Sequence, residues 1–532
     1  MDIFAGLAGG ITTVLNPTTF ALLALGVLLG MVIGVMPALG PSAGMAILLP
    51  ITFGMNPTAA IIMLAAIYYG AMYGGTITSV LLNTPGESST VATTFDGYPL
   101  ARQGRAGPAL VLASIGSFVA GTIGAVLLSL FAPAFASVAS SFGPSELFLI
   151  ILAGLLTLIV IVGGNRTYGT ISALLGFALA TVGLDIGTGD QRYTFGSPEL
   201  ISGINFIPVA IGLFGLGELF WSIYTGMHRG HIGDQDGNNR LSARSRGFWP
   251  TRADWADTKW TMPRNSLLGF CIGTIPGAGA TVASLMGYST EKSISKNPER
   301  FGKGAMRGLV APETANNAAS TGAMVPLLTL GIPGSASTAV LLAGFLMWGV
   351  QPGPLLMAQH PDLAWGLIAS MYLGNVMLIL LSIFFIPTFA SIARVPYRIM
   401  VPAIVVICML GTYTVNGSIL ETWIMLVCGV VGFFMKRFGF SPAATVIALV
   451  LGPLAESTLR QTLIISGGSF EIFLTRPVSL GLVIFLGVLM IGPALYRTWR
   501  SVRRRRPTRA EDEALDGADE LAAKNESPTV RR

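Results

Sequence analysis

Residues 364–390 read AWGLIASMYLGNVMLILLSIFFIPTFA, 27 positions without a charged side chain. A helix rises 1.5 Å per residue, so about 20 apolar residues cross the hydrocarbon core of a bilayer. The run therefore reads as a membrane-spanning helix. A strand of a transmembrane barrel would alternate at every second residue and stop after about ten, and this run does neither. The poverty of charge extends outward from it. Of 532 residues, 52% are hydrophobic and 11% charged, and mean hydropathy is +0.68. Soluble domains carry about 25% charged residues. The charges are also crowded: 28 of the 58 lie in positions 224–264 and 497–532. What remains cannot keep a soluble surface wet. The expected fold class is an all-α polytopic membrane protein with about 12 transmembrane helices plus re-entrant or broken helices.

Apolar segments at 20–36, 57–73, 108–131, 145–163, 169–184 and 203–223 form a first half. Those at 265–276, 315–331, 364–390, 399–412, 421–435, 441–453 and 478–496 form a second. The segments 265–276, 399–412 and 441–453 are short enough to be broken, re-entrant or tightly flanked. The expected domains are a first transmembrane repeat (1–223), a cytoplasmic connecting loop (224–264), a second repeat (265–496) and a disordered basic and acidic tail (497–532). Basic loops mark the cytoplasmic side: 94–106 with Arg102 and Arg105, the connecting loop, Lys292 to Arg307, Arg394 with Arg398, Lys436 with Arg437, and Arg503 to Arg506. One path satisfies them all, with the N-terminus outside and the C-terminus inside. The first residues lack the basic region of a cleaved signal peptide. Cys271, Cys408 and Cys428 lie in apolar runs and read as inert packing, and His228, His231 and His360 cluster with no carboxylate or cysteine. The basic balance reflects loops and tail beside lipid, so no nucleic-acid partner is implied.

Two motifs recur. Gly30-x-x-x-Gly34-x-x-Pro37-x-x-Gly40 returns as Gly269-x-x-x-Gly273-x-x-Pro276-x-x-Gly279, at an offset of 239. Thr84-Pro-Gly-Glu-Ser-Ser-Thr90 returns as Ile332-Pro-Gly-Ser-Ala-Ser-Thr338, at an offset of 248. Two ordered matches at nearly equal offset describe a duplicated unit. Loop charge differs between the copies. The interval 53–57 has no basic residue, whereas its counterpart runs from Lys292 to Arg307; after the second motif the bias reverses, Arg102 and Arg105 against His360 alone. Equivalent loops on opposite sides of a membrane are the signature of two inverted-topology repeats, a common plan of secondary transporters.

Proline followed by glycine ends a helix inside an apolar segment. The ends expose backbone groups and half-helix dipoles at membrane depth, which suits carboxylates and alkali ions. Candidate substrate contacts are Asn83, Ser88, Ser89, Thr90, Asn316, Asn317, Ser335 and Ser337. Candidate ion contacts are Gly40, Asn83, Gly86, Gly279, Asn317 and Gly334, with no metal beyond an alkali ion. Thr84, Thr314 and Thr338 supply further hydroxyls. Glu87 and Glu313 are intramembrane acids that could carry a proton or balance charge, or else start a helix. Glu146 reads as a helix-start acid, Glu218 as the partner of a loop arginine, and Gly26, Gly30 and Gly34 as a close-packing stripe. No enzyme is expected: there is no His-Glu-x-x-His and no Walker loop, and a 41-residue connecting loop cannot hold a nucleotide domain. A channel-like or scaffolding subunit without coupled transport is the alternative.

Longer strings resemble a known family. Gly34-Val-Met-Pro-Ala-Leu-Gly-Pro41, Tyr69-Gly-Ala-Met-Tyr-Gly-Gly75, Leu82-Asn-Thr-Pro-Gly-Glu87, Asp96-Gly-Tyr-Pro-Leu-Ala-Arg-Gln-Gly104, Gly273-Thr-Ile-Pro-Gly-Ala-Gly279, Ala311-Pro-Glu-Thr-Ala-Asn-Asn317, Leu330-Gly-Ile-Pro-Gly334 and Gln351-Pro-Gly-Pro354 are similar to the large membrane subunit of tripartite tricarboxylate transporters. The likeness runs from about Gly26 to Pro477, with Ala38 departing from the family's usual glycine. The resemblance implies a permease of the bacterial inner membrane, with an elevator-like motion suited to the repeat. It implies a small membrane subunit and a periplasmic solute-binding protein as partners, and a carboxylate as substrate. It implies no cofactor, and sodium as coupling ion with a proton as the alternative.

Overall fold

The computed structural model describes residues 3–36, 39–162, 166–185, 187–228, 248–277, 279–392 and 397–504. Pro37 and Ala38, most of the connecting loop with Arg229, Arg240, Arg244, Arg246 and His231, Arg394, and the tail beyond 504 lie outside the described residues.

The first half contains α1 (Ile3–Val14), α2 (Pro17–Val35), α3 (Pro41–Leu48), α4 (Pro57–Leu82), α5 (Val91–Arg102), α6 (Ala106–Ala139), α7 (Pro144–Val162), α8 (Arg166–Ala180) and α9 (Phe206–Thr225), the last with a π-helical stretch at Ile211–Leu216. After α10 (Arg252–Thr258) come α11 (Thr261–Gly273), α12 (Gly279–Ile294), α13 (Met306–Gly322), α14 (Met324–Leu330), α15 (Ala336–Met347), α16 (Pro361–Ile392), α17 (Tyr397–Asn416), α18 (Ile419–Phe438), α19 (Pro442–Ile465) and α20 (Pro477–Arg504). Strand structure among the described residues is one two-residue pairing, Gly183–Leu184 with Gln191–Arg192. Helix starts are written locally. Asn16-Pro17 and Asn56-Pro57 each set an asparagine whose side chain accepts an N–H of the first turn, at 3.1 Å and 3.0 Å, before a proline that lacks the donor the turn would leave unpaired.

Among the described residues, seven helices are long and apolar enough to cross a membrane: α2, α4, α6, α9, α16, α18 and α19. Six further apolar stretches are shorter, so the expected total of about twelve rests on those. Several expected segments differ in extent; 57–73, for example, runs on to Leu82 and 108–131 to Ala139. The 315–331 segment is two helices, α13 beginning at Met306 and α14 following a break at Ala323. The 441–453 segment continues through Pro453 to Ile465, because Glu456 and Arg460 in its polar end pair with Arg192 and Asp185. The segment 94–106, read as a basic loop, is largely α5.

The sequence repeat returns as packing. A Cβ on Gly30 would lie 2.4 Å from the Ile67 carbonyl, and one on Gly34 2.2 Å from that of Ala71. Gly269 and Gly273 stand in the same relation to the Ala315 and Ala319 carbonyls, each at 2.2 Å. The glycine offset is 239 and the carbonyl offset 248, the two offsets of the motifs. So α2 on α4 and α11 on α13 share one helix-on-helix register, and Gly26, Gly30 and Gly34 form the close-packing stripe expected. The helices that follow also correspond, α5 with α15 and α6 with α16. The apolar window of α4 is wholly buried inside the protein, with α13 packed on it; α7, α8 and α17–α19 add residues to the same hydrophobic core.

Candidate functional site

Both Pro-Gly segments are turns that interrupt helices. The first joins the end of α4 to α5, the second α14 to α15. Asn83 ends α4 in the left-handed conformation at φ 54°, and Gly331 ends α14 there at φ 71°. Asparagine is one of the few side chains that tolerates that region, which gives Asn83 a structural task besides any ligand contact. The N-caps correspond as well. The Glu87 N–H reaches the Thr90 hydroxyl at 3.4 Å, and the Ser335 N–H reaches the Thr338 hydroxyl at 2.7 Å. Each turn thus leads into the N-terminus of a helix; Asn83, Thr84 and Ser88 of the first are exposed, whereas Ile332, Pro333 and Gly334 of the second are buried.

The turns are tied crosswise to the opposite half. The Ser88 hydroxyl lies 3.0 Å from that of Thr281 on α12, while Tyr68 on α4 reaches the Ser335 side chain. Gly86 is wedged: a Cβ there would lie 2.3 Å from the Gly34 carbonyl and 2.5 Å from Gly75 Cα. The Gly334 carbonyl accepts from Gly277 N–H at 2.9 Å. Gly40 is the extended N-cap of α3, and Gly279 opens α12 at φ 62° with free space around it. Ser89 donates to the Glu87 carboxylate, so Glu87 is a helix-start acid, half-buried beside the turn.

Helix α13 carries the rest. Glu313 is fully buried and accepts from Thr76 on α4 at 2.6 Å and Thr93 on α5 at 2.5 Å. Asn317 donates to Ser117 on α6 at 2.9 Å and to the Glu313 carbonyl at 3.0 Å. Thr314 is spent on the Val310 carbonyl. Asn316 differs: it is 0% exposed and neither its amide oxygen nor its nitrogen has a hydrogen-bond partner. At 100° per residue it projects between the Ala315 and Ala319 stripe packed on α11 and the Glu313 side facing α4 and α5. Burying an amide unpaired costs about 1–3 kcal/mol.

No basic side chain among the described residues offsets these acids. Arg105 pairs with Asp254 at 2.6 Å, Arg264 with Glu291 at 3.2 Å and Arg307 with Asp257 at 2.8 Å. No group of three or more metal-ligating side chains occurs among the described residues.

Several residues escaped sequence reading. Asp96 is fully buried on α5 and accepts from the backbone N–H groups of Gly302 (2.9 Å), Gly304 (2.7 Å) and Ala305 (2.7 Å) and from the Tyr288 hydroxyl (3.1 Å), clasping one half to the other. The available signal was an acid in the otherwise uncharged stretch 88–101; reading 94–106 as a loop concealed it. Glu146 is the helix-start acid expected, accepting from Gly143 N–H at 2.8 Å, and it also pairs with Arg476. Glu218 pairs with Lys436 on α18 rather than with a loop arginine, because α9 runs along that helix. Cys271 is exposed on the outer side of α11, whereas Cys408 is buried and Cys428 half-buried; all three are free thiols.

The sequence model of the tripartite tricarboxylate transporter TctA family matches residues 20–447, a span that holds both turns, Asp96 and all of α13. The chain belongs to that family. An uncharacterised 52.8 kDa protein of the TAR-I ttuC' 3' region of Agrobacterium vitis is 41% identical over 505 residues, 94% of this chain and 98% of that protein. An uncharacterised protein of the TAR-II ttuC' 3' region of the same organism is 40% identical over 235 residues, 44% of this chain and 97% of that one. No solved structure matches. As a tripartite tricarboxylate transporter family member, the chain is a multi-pass membrane subunit of a transporter, and its family is one of transporters rather than enzymes.

Proposed function

We propose that the chain is a secondary-active permease that takes up tricarboxylate-like carboxylates by cation symport, with sodium as the coupling ion. Substrate arrives from a periplasmic binding protein, and a small membrane subunit completes the transporter in the bacterial inner membrane. The two halves are inverted repeats, the N-terminus periplasmic and the C-terminus cytoplasmic. Substrate sits between the two turns, where the N-termini leading into α5 and α15 offer backbone N–H groups and positive dipole ends to carboxylate oxygens. Ser88, Ser89, Thr90, Ser335 and Ser337 supply hydroxyls, and carbonyls near Gly40, Gly86, Gly279 and Gly334 supply oxygen ligands suited to an alkali ion. Symport follows from charge. Glu87 and Glu313 lie at the site and nearby arginines are spent elsewhere, so a carboxylate substrate enters only with cations. A proton on either acid is the alternative coupling ion.

The observation that carries this reading is Asn316, a buried amide with both atoms unpaired. A group that costs stability at rest, on the helix that also carries Glu313 and Asn317, is one whose partner is the cargo. Asn316→Ala removes no protein hydrogen bond, so folded yield should be unchanged while sodium-driven carboxylate uptake into vesicles, with binding protein supplied, falls at least tenfold. Uptake and sodium dependence equal to the unsubstituted chain's would overturn the assignment. Asn317→Ala serves as contrast: it deletes the bond to Ser117 and should lower stability as well.

A further inference from the structure

We propose that the outward face of α10, with the tryptophans that flank it, binds the headgroups of anionic phospholipids. Helix α10 is short and strongly two-sided. Counted at 100° per residue, Arg252, Trp255, Ala256 and Lys259 share one side, and Asp254 and Thr258 the other. The inner side is anchored to both halves. Both carboxylate oxygens of Asp254 accept from Arg105 at the start of α6 at 2.6 Å, and one of them also accepts from the Thr251 N–H and hydroxyl at 2.9 Å and 2.7 Å, capping its own helix. Burial pushes the Asp254 carboxyl up, but the Arg105 and Thr251 hydrogen bonds outweigh it and hold the group below its ordinary value. Asp257 pairs with Arg307 in the first turn of α13, whose guanidinium also donates to the Asp257 carbonyl at 2.8 Å. Helix α10 therefore lies across the ends of α6 and α13, Asp254 turned to the protein and Asp257, still 46% exposed, neutralised by Arg307.

What faces away is positive and aromatic. Arg252 and Lys259 are exposed and have no ion pair among the described residues. Trp249, Trp255 and Trp260 are 62%, 39% and 67% exposed. Below Trp260, one turn past Arg264, which is paired with Glu291, the outer stripe of α11 continues with exposed Leu267 and Cys271 and, just beyond its end, Ile275, the apolar face a membrane helix turns to lipid. Tryptophans at the top of such a stripe mark the headgroup level, and each lysine or arginine held there attracts anionic lipid. Charge complementarity and continuity with the lipid-facing stripe together select the occupant. An acidic protein would satisfy the cations but leave three indole rings and the stripe beneath them without an apolar partner.

The test is tryptophan quenching in the full-length chain, reconstituted in phosphatidylcholine vesicles containing either dibrominated phosphatidylglycerol or dibrominated phosphatidylcholine. The unsubstituted chain should be quenched preferentially by the brominated anionic lipid. Trp249→Phe, Trp255→Phe and Trp260→Phe together should remove the preferentially quenched emission. Arg252→Ala with Lys259→Ala should weaken the preference at least fivefold, and Arg252→Lys, which keeps the charge, should preserve it. Among the described residues neither cation makes an ion pair that the fold would lose. Equal quenching by both lipids in the unsubstituted chain would overturn the proposal, as would an undiminished preference in the double variant. Indoles shielded from both lipids by a co-purifying protein would overturn it too.

Discussion

Asp96→Ala is expected to destabilise the folded chain by about 2–6 kcal/mol, at 1–3 kcal/mol for each of two buried donors left without an acceptor. The carboxylate collects three backbone N–H groups from a single bend, Gly302 to Ala305, and the Tyr288 hydroxyl. The donors of Gly304 and Ala305 are the less accessible ones and set the loss. Asp96→Asn keeps one acceptor oxygen and should fall between the two. A Cβ on Gly308 would lie 2.0 Å from the carboxylate, so Gly308→Ala should act in the same direction by displacing it. The measurement is the unfolding midpoint of purified protein in detergent. A drop no larger than that of an exposed substitution such as Asp190→Ala would show that water replaces the clasp. The effect has a further reading: the bonds run from α5 to the segment before α13, so their loss loosens one half against the other.

The helices and their pairing were legible because they depend on composition and on glycine spacing. A charge-free run of 27 residues has one reading, and Gly30, Gly34, Gly269 and Gly273 sit where neighbouring backbones must approach. The turns were legible too, since proline with glycine leaves few conformations. The clasp at Asp96 and the Glu313 bonds to Thr76 and Thr93 were not. Each joins residues more than 190 positions apart, and nothing in a local window states which hydroxyl will meet which acid. The same applies to Asn316 and Asn317. Adjacent and identical in type, they look equivalent in sequence, and only the 100° between them sends one to Ser117 and leaves the other unpaired. The central arginines misled for a related reason. Arg102 and Arg105 read as loop charges in composition, but Arg105 is a buried-acid partner and Arg102 the last turn of a helix.

Gly34→Ala is expected to abolish or severely reduce folded protein, and its sign is the informative part. In a helix interior alanine is favoured over glycine by about 1 kcal/mol, so a helix limited by propensity would gain. At Gly34 the added carbon would lie 2.2 Å from the Ala71 carbonyl oxygen and 2.9 Å from Gly74 Cα. Both are backbone atoms of α4, which is wholly enclosed and cannot retreat. Overpacking typically costs 1–3 kcal/mol when side chains can adjust, and here none is available to adjust. Gly86→Ala should do the same, because its Cβ would meet the Gly34 carbonyl from the other side at 2.3 Å. Gly481→Ala is the control: that helical glycine in α20 has nothing within 4 Å of its would-be Cβ, so the same substitution should be neutral or stabilising. Gly273→Ala completes the set at 2.2 Å from the Ala319 carbonyl. If it is tolerated while Gly34→Ala is not, the second half can part at α11 where the first half cannot part at α2. Mobility of the core would then belong to α11 and α13. Equal intolerance makes both pairs rigid bodies, and any motion that carries substrate must then occur between the halves, across the Ser88–Thr281 and Tyr68–Ser335 contacts.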